Sequence, residues 1–297
     1  MDAVFRLLGW KESSFEDYQQ AYATYGGNLL SDPRILKFIH SRFDLKPRFL
    51  IQRDQNDEIV AGVCIWDNLY IAGDQRVANK HGINRFPLNF DEIVLPISPD
   101  TRAVLPFRTK FLSDINHHPV RNSSHLLNAH REISIVRAVS AKTRSSRNRE
   151  LRKFIDIGGS IHHVSEFSAE NLMQMYATLF FQRRGKQIDL EYTRELLREI
   201  PDLPFGYVLS FEGEPCAMQW LMKSEDHQRV YLDYINAGMN TALSHLSIGT
   251  LVAWVNVRAA FEYGEKQAKQ VRFSFGRPTA DYKDRWCDRN PLYRVIA

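Results

Sequence analysis

Residues 229–276 read RVYLDYINAGMNTALSHLSIGTLVAWVNVRAAFEYGEKQAKQVRFSFG, and they predict a strand, a long helix and a second strand. The alternating first part predicts a strand over 229–236. The apolar middle predicts a helix over 248–263, closed by Gly264. The β-branched and aromatic end predicts a strand over 271–275. Such an order is typical of an α/β protein in which helices pack on a sheet.

The segments before this run repeat one order of elements in each half of the chain. Each half predicts two helices, a hairpin and a further strand, which indicates duplication, although common α/β alternation would explain part of it. The first-half elements are a helix from Ser14 to Gly26, a helix from Asp32-Pro33, hairpin strands over 48–53 and 58–66, and a strand over 91–96. The second-half elements are a helix from Ser168 to Gly185, a helix over 190–199, and hairpin strands over 206–211 and 216–222.

Composition places the chain among globular proteins. Its 297 residues predict about two domains, and 44% hydrophobic with 25% charged residues excludes disorder and fibrous repeats. The net charge of +4 permits weak attraction to anionic lipid, phosphate or tRNA without establishing nucleic-acid binding. No apolar stretch approaches the roughly 20 residues that span a bilayer. With no signal-peptide pattern at the N-terminus, we expect a cytoplasmic protein.

The cysteines and histidines do not form a recognisable metal or disulfide pattern. Cys64, Cys216 and Cys287 are far apart, which argues against a disulfide framework or a structural zinc site. The first two lie in apolar strand-like runs and are expected to be buried, whereas Cys287 is expected to be more accessible. The adjacent histidine pairs at 117–118 and 162–163 point to opposite faces of a strand, so we expect no metal.

The join between strand and helix at residues 240–250 is the first candidate site. Backbone N–H groups at a helix start are unpaired and lie at the positive end of the helix dipole. They can hold a pyrophosphate, with Gly249 allowing close approach and Ser247 and Thr250 adding hydroxyl donors. Ser247, Gly249 and Thr250 are therefore candidate donor-binding residues. The alternative is that Ser247 simply caps the helix.

The second candidate site combines Asp233 with the polar and aromatic residues 281–286. Asp233 lies in the middle of a strand, where a carboxylate is either paired or a general base with a raised pKa. Tyr282 can act as a general acid to a leaving thiolate or alkoxide, and Lys283 can direct a cation toward a ligand. The alternative is a surface tail in which Tyr282 and Trp286 are packing anchors.

A dense basic run between the halves is the third candidate site. It can bind phosphate, a tRNA backbone or acidic lipid heads, at about 1 kcal/mol per charge. A solvated linker helix is the alternative reading. The cations are Lys142, Arg144, Arg147, Arg149, Arg152 and Lys153.

The later part of the chain resembles the second GNAT domain of FemAB-type acyl- and aminoacyl-transferases. The resemblance rests on residues 231–234, on residues 247–251 opening a helix that ends at 262–264, and on residues 273–276 followed by Tyr282, Lys283 and Trp286. It implies an α/β (α+β) fold of two tandem GNAT-like domains with mixed, mainly antiparallel sheets. On that basis we place the domains at 1–140 and 161–297, joined by a basic linker helix at 141–160.

More closely, the chain resembles the Mig-14 (macrophage-inducible gene) family of Gram-negative bacteria. The matching stretches include residues 9–18, Tyr25-Gly26-Gly27, residues 90–93 and residues 181–186. This resemblance implies a role in envelope defence, with resistance to cationic antimicrobial peptides and peripheral association with the inner membrane.

Three functions follow as hypotheses. The first is an acyl- or aminoacyl-transferase that uses acyl-CoA or aminoacyl-tRNA and acts on an amine or hydroxyl of an envelope precursor. The second is a non-catalytic membrane-associated binding protein of the same fold. The third, a DNA-binding regulator, is disfavoured because we find no helix-turn-helix pattern and the charge is modest.

Overall fold

The computed structural model describes residues 2–297 and contains eight α-helices and fourteen β-strands within that range. The helices are α1 (Asp2–Leu7), α2 (Phe15–Tyr25), α3 (Pro33–His40), α4 (Gln75–His81), α5 (Ala141–Asp156), α6 (Ala169–Arg184), α7 (Glu191–Glu199) and α8 (Ile248–Lys266). The strands are β1 (Lys11–Ser13), β2 (Arg48–Arg53), β3 (Ile59–Trp66), β4 (Tyr70–Ile71), β5 (Ser123–Ser124), β6 (Glu132–Val136), β7 (Gly159–His163), β8 (Pro204–Phe205), β9 (Tyr207–Phe211), β10 (Glu214–Glu225), β11 (Arg229–Met239), β12 (Gln270–Ser274), β13 (Cys287–Pro291) and β14 (Arg294–Val295).

Two sheets organise the chain. The smaller has the order β1-β2-β3-β4, and the larger has the order β13-β6-β12-β11-β10-β9-β7, with β8 added beside β10. Among the pairs of named strands within residues 2–297, only β11 and β12 run parallel. The predicted fold class, α/β with mixed and mainly antiparallel sheets, is confirmed.

The helix starts and ends predicted from capping residues are confirmed for three helices. The Ser14 side chain accepts a hydrogen bond from the Asp17 N–H, and Asp32 accepts one from the Arg34 N–H. At α6 the Ser168 side chain accepts from Asn171, and Gly185 ends the helix in the left-handed conformation. Each side chain satisfies an N–H group that the first turn cannot pair internally.

The strand predicted over residues 91–96 is wrong. This segment forms only isolated bridges, and buried carboxamides take the place of a neighbouring strand. Asn28 donates to the Glu92 carbonyl and accepts from the Val94 N–H. Asn116 donates to the Leu95 carbonyl and accepts from the Leu95 N–H. Because these buried groups already have partners, the segment needs no strand ladder.

The predicted end of the long helix at Gly264 is also wrong, since α8 continues to Lys266. Gly264 lies inside the helix because β12 packs closely against it. A Cβ atom at this position would lie 2.9 Å from the Lys269 carbonyl oxygen and closer still to the Val271 side chain. The glycine therefore permits a close helix–strand approach and does not end the helix.

The two halves share a core and a buried ion cluster. One hydrophobic cluster joins first-half residues such as Trp66 to second-half residues such as Trp220. Arg272 on β12 pairs with Glu92, which is 4% exposed, and with Asp114 at 2.6 Å. Strand β6 also pairs within the larger sheet. The division at residues 140 and 160 stays a prediction.

Replacing Gly26 with alanine is expected to lower the free energy of unfolding more than an alanine at Gly213. Gly26 has φ 75° and ψ −172°, a region open almost only to glycine and costing about 1–3 kcal/mol for other residues. An added Cβ would also overlap the buried Asp226 carboxylate. Gly213 has φ 87° but nothing within 4 Å. Urea unfolding of both variants measures the difference, and equal losses would contradict a role for the Asp226 contact.

Candidate functional site

The sheet opens where β11 and β12 separate. Their parallel pairing ends at Asp233 and Ser274, but β11 continues to Met239. A cavity of about 620 Å³ lies near this opening, and we call it the α8 cavity. Its polar wall comes from the start of α8, the 3-10 segment Asp281–Arg285 and the facing side of α5, together with side chains of α6, β10 and β11. The parting of two neighbouring strands thus creates a recess next to a helix start.

Four of the six residues predicted for donor binding and catalysis line the α8 cavity. They are Ser247, Gly249, Thr250 and Tyr282. These residues are distant in sequence, and the path of the chain from β11 through α8 and β12 brings them together. Their chemical roles stay predictions.

Ser247 does not cap α8 with its side chain, so the simple capping alternative is wrong. It adopts a left-handed conformation, φ 57° and ψ 28°, and its hydroxyl makes no capping hydrogen bond. Its carbonyl instead accepts from the Thr250 and Leu251 N–H groups, at 2.9 and 3.0 Å. The N–H groups of Ile248 and Gly249 have no acceptor among residues 2–297, and both residues line the cavity, where such groups favour an anion.

Three arginines add positive charge to the α8 cavity. Arg147 pairs with Glu150 on the same helix, and Arg183 donates to the Ala237 carbonyl at 2.8 Å. The exposed Arg285 guanidinium has no ion pair or hydrogen bond within residues 2–297. Together with the start of α8, these groups make the cavity suited to a phosphorylated ligand.

Two tyrosines meet at the inner side of the cavity. The Tyr282 and Tyr234 hydroxyl oxygens are 3.4 Å apart, and the Tyr234 ring stacks on Phe275 with centroids 5.0 Å apart. Burial and the neighbouring Tyr234 raise the pKa of Tyr282. The Tyr282 phenol is therefore a proton donor, not a base, at neutral pH.

Asp233 and Lys283 lie outside the lining of the α8 cavity. Asp233 on β11 interacts with Asp91 and Glu92 of the first half and is 5% exposed, with one carboxylate oxygen lacking a partner among residues 2–297. Lys283 donates through its ammonium group to the Phe275 and Arg277 carbonyls, both at 2.6 Å. Burial lowers the pKa of this amine. The geometry thus separates these two residues from the other predicted site residues.

Burial raises the pKa of Asp233 well above its ordinary value of 3.8, and Glu92 and Asp91 raise it further while Arg272 opposes them. A carboxyl with a raised pKa in the folded state binds its proton more tightly there than in the unfolded chain. The Asp233 carboxyl therefore contributes to the free energy of unfolding at low pH. This contribution is lost as the pH rises from about 4 toward the raised pKa of the folded state.

We expect Asp233→Asn to become progressively more stable relative to the wild type between pH 4 and pH 8. Asparagine preserves the shape of the side chain and cannot ionise, so the cost of burying a charge disappears. Urea unfolding at several pH values measures this difference in free energy. A difference that stays constant with pH would contradict the raised pKa.

Cys287 is not accessible, contrary to expectation. It is 3% exposed, and burial raises the pKa of its thiol to about 12. Cys64 and Cys216 are buried, as predicted. A buried thiol with a raised pKa is a poor nucleophile.

The basic run forms much of the helix α5, and its role as a linker between domains stays a prediction. Lys142, Arg144 and Arg149 are exposed, and Arg152 and Arg144 border a groove beside Arg258. Arg147 differs because it faces the α8 cavity and pairs with Glu150. One helix therefore carries both an exposed basic surface and part of the cavity wall.

Arg285, which belongs to the candidate segment 281–286, lines the α8 cavity, and so do Tyr234 and Arg183, which the sequence did not mark as site residues. Tyr234 follows Asp233 on a strand and so points to the opposite face, which is a usable signal. Arg183 reaches the cavity through tertiary packing, and no local pattern distinguishes it from other surface arginines.

Within residues 2–297, no helix has the length and apolarity needed to cross a membrane. The same residues contain no cluster of three or more histidine, cysteine, aspartate or glutamate side chains that could bind a metal.

The fold and this cavity define a mixed α/β protein with a basic recess at a helix start. The family model of Mig-14 matches residues 32–295, and the chain belongs to the Mig-14 family. No curated protein sequence matches the chain.

Several solved structures are similar over nearly the whole chain. L-PGS from Bacillus licheniformis is 14% identical, with a TM-score of 0.47, and the match covers 96% of this chain and 92% of that one. The C-terminal domain of a putative lysylphosphatidylglycerol synthetase from Agrobacterium fabrum is 10% identical, with a TM-score of 0.42 and coverages of 95% and 92%. A tandem GNAT protein from the clavulanic acid biosynthesis pathway is 9% identical, with a TM-score of 0.39 and coverages of 96% and 97%. Likeness at this level says nothing about activity.

Proposed function

We propose that this protein transfers an acyl or aminoacyl group from an anionic donor to an amine or hydroxyl. The observation that carries the proposal is the α8 cavity, where the helix start at Gly249 faces the same space as Arg183 and Arg285. This combination suits the phosphates of acyl-CoA or the 3′ end of aminoacyl-tRNA. The family supports a role in envelope defence and resistance to cationic antimicrobial peptides, at the cytoplasmic face of the inner membrane.

The chemistry needs orientation and a proton path more than a covalent nucleophile. The acceptor atom attacks the donor carbonyl carbon, and the carbon–sulfur or carbon–oxygen bond to the donor breaks. Tyr282, with Tyr234 3.4 Å away, is placed to give a proton to the leaving atom, and the proton that the acceptor loses then restores the Tyr282 phenol. We assign no proton transfer to Asp233, because it is buried away from this cavity.

Saturable binding of one donor class tests the proposal. The purified protein is titrated with acetyl-CoA, with a longer acyl-CoA and with a charged tRNA, and binding is measured by calorimetry and thermal shift. We expect one donor class to bind. The same carrier without its acyl or aminoacyl group, free CoA or uncharged tRNA, should compete with that donor for the site. If no donor of either class binds, the transferase proposal is wrong.

A membrane-associated binding protein is the second candidate, and the surface of α5 favours it. Lys142, Arg144 and Arg149 are exposed cations, while Ile155 and Ile157 are 45% and 53% exposed near the other end of the helix. Exposed cations beside apolar side chains suit an anionic membrane surface.

We expect the triple change of Arg144, Arg149 and Arg152 to glutamate to abolish pelleting with anionic vesicles at low salt. Each arginine attracts the anionic vesicle surface by about 1 kcal/mol, and the glutamate that replaces it repels that surface. Vesicles of 30% phosphatidylglycerol in phosphatidylcholine provide the measurement. A matched triple variant at Arg102, Arg121 and Arg198, all exposed and outside α5, is the control. Equal pelleting of both variants would contradict docking through α5.

A further inference from the structure

A second cavity of about 490 Å³ lies between the two halves, and we call it the interhalf cavity. The first half contributes residues between 75 and 91, and the second half contributes Tyr234 and Ile235 from the middle of β11 and residues that follow the end of β12. Tyr234 lines both this cavity and the α8 cavity. The two recesses are therefore neighbours that share one wall.

Carboxamides dominate the polar lining contributed by the first half. Gln75 and Asn79 lie one turn apart on the same face of α4, and Asn84 and Asn89 follow. The side chains of Gln75, Asn79 and Asn84 make no hydrogen bond to any residue within 2–297. Each offers two donors and an acceptor, the combination that hydroxyl groups, themselves donors and acceptors, can satisfy.

The charges of the interhalf cavity are already engaged. Asp91 pairs with Arg277 at 2.8 Å, and the Lys283 ammonium group donates to two backbone carbonyls. Each carboxylate and cation on this lining thus has a partner among residues 2–297, which disfavours a strongly charged ligand. Tyr234 and Phe275, whose rings stack, supply aromatic lining, and Leu88, Phe90 and Ile235 complete the apolar part of the wall. Free carboxamides, engaged charges and an aromatic wall together suit a neutral polar ligand.

We infer that the interhalf cavity binds a neutral, sugar-sized polyol as the acceptor. This inference rests on the proposed transferase function, because it makes the shared wall at Tyr234 the meeting point of the two substrates. An acceptor hydroxyl oxygen forms the new bond to the donor carbonyl carbon. The bond from that carbon to the donor sulfur or oxygen breaks, and the acceptor proton ends on the leaving atom. No other reactant is needed.

Saturation-transfer NMR with N-acetylglucosamine, myo-inositol and the dipeptide glycylglycine tests the inference on the full-length protein. We expect a signal from at least one polyol and none from the dipeptide. The double variant Gln75→Leu/Asn79→Leu should reduce the polyol signal at least fivefold. Gln19→Leu, an exposed glutamine on α2 outside both cavities, should leave it unchanged. If the double variant does not fold, the single variant Asn84→Leu replaces it and should also reduce the polyol signal.

Absence of a polyol signal, or an equal signal in wild type and carboxamide variants, would overturn the inference. A dipeptide signal that the double variant abolishes would also overturn it and would indicate a peptide acceptor. Gly249→Glu separates this inference from the transferase proposal, because it alters only the α8 cavity. If the wild-type protein binds a polyol but no donor of either class, the transferase proposal is wrong. The interhalf cavity would then be a polyol site in a protein that is not a transferase.

Discussion

Gly249→Glu is expected to weaken donor binding at least 100-fold. The new carboxylate would lie at the first turn of α8, where the phosphate of the donor is proposed to bind. Two like charges about 4 Å apart repel by about 4 kcal/mol at an effective dielectric constant of 20, and every 1.4 kcal/mol is a factor of ten. Calorimetric titration with whichever donor binds the wild-type protein measures the loss.

Gly249→Ala is the matched control for this change. A Cβ atom at Gly249 would lie 2.9 Å from the end of the flexible Met239 side chain, which can move aside. Alanine adds no charge, so donor affinity should change only a few-fold. If the glutamate variant binds the donor as well as the alanine variant does, the donor phosphate does not bind at the start of α8.

Arg272→Met is expected to lower the free energy of unfolding by about 3–5 kcal/mol at pH 7. Arg272 is 10% exposed and pairs with Glu92, which is 4% exposed, and with Asp114. Removing the cation leaves a buried carboxylate without its charged partner, which costs far more than the pair itself contributes. Urea unfolding followed by circular dichroism measures the change.

Two further variants separate the charge effect from general damage. The double change Glu92→Gln/Arg272→Met removes both members of the buried pair and should recover much of the loss. Arg277→Met also removes an ion pair between the halves, with Asp91, but Arg277 is 49% exposed and its loss should cost no more than about 1 kcal/mol. If Arg272→Met and Arg277→Met lower the free energy of unfolding equally, burial does not make the Arg272 ion pair more costly to break.

The sequence predicts most of the fold because its boundary signals are local. Caps such as Ser14 and Ser168 act within three residues of their own position, and hairpins are marked by short polar turns. The errors occur where distant residues decide. Gly264 looks like a helix end, yet the neighbouring β12 requires a glycine there. The strand pattern at 91–96 is overruled by Asn28 and Asn116, which lie far away in sequence.

The candidate site is predictable only in part for the same reason. A helix start after a strand is visible in the sequence, and Ser247, Gly249 and Thr250 do line a cavity. Asp233 fits the pattern of a general base, but alternation along β11 directs it to the face opposite Tyr234. Which arginines reach the cavity depends on how α5, α6 and the last residues of the chain pack together.

The carboxamide support of residues 92–95 also affects which substitutions this part of the chain can accept. In an ordinary sheet the backbone groups of neighbouring strands hydrogen-bond to each other, so an outward side chain can be replaced at little cost in stability. Here Asn28 and Asn116 act as the neighbouring strand themselves. Even aspartate, similar in size, lacks the amide hydrogens that both positions supply. The backbone of this buried segment is thus fixed by two single side chains that lie far from it in sequence, so a change at either one would disturb residues it does not itself replace.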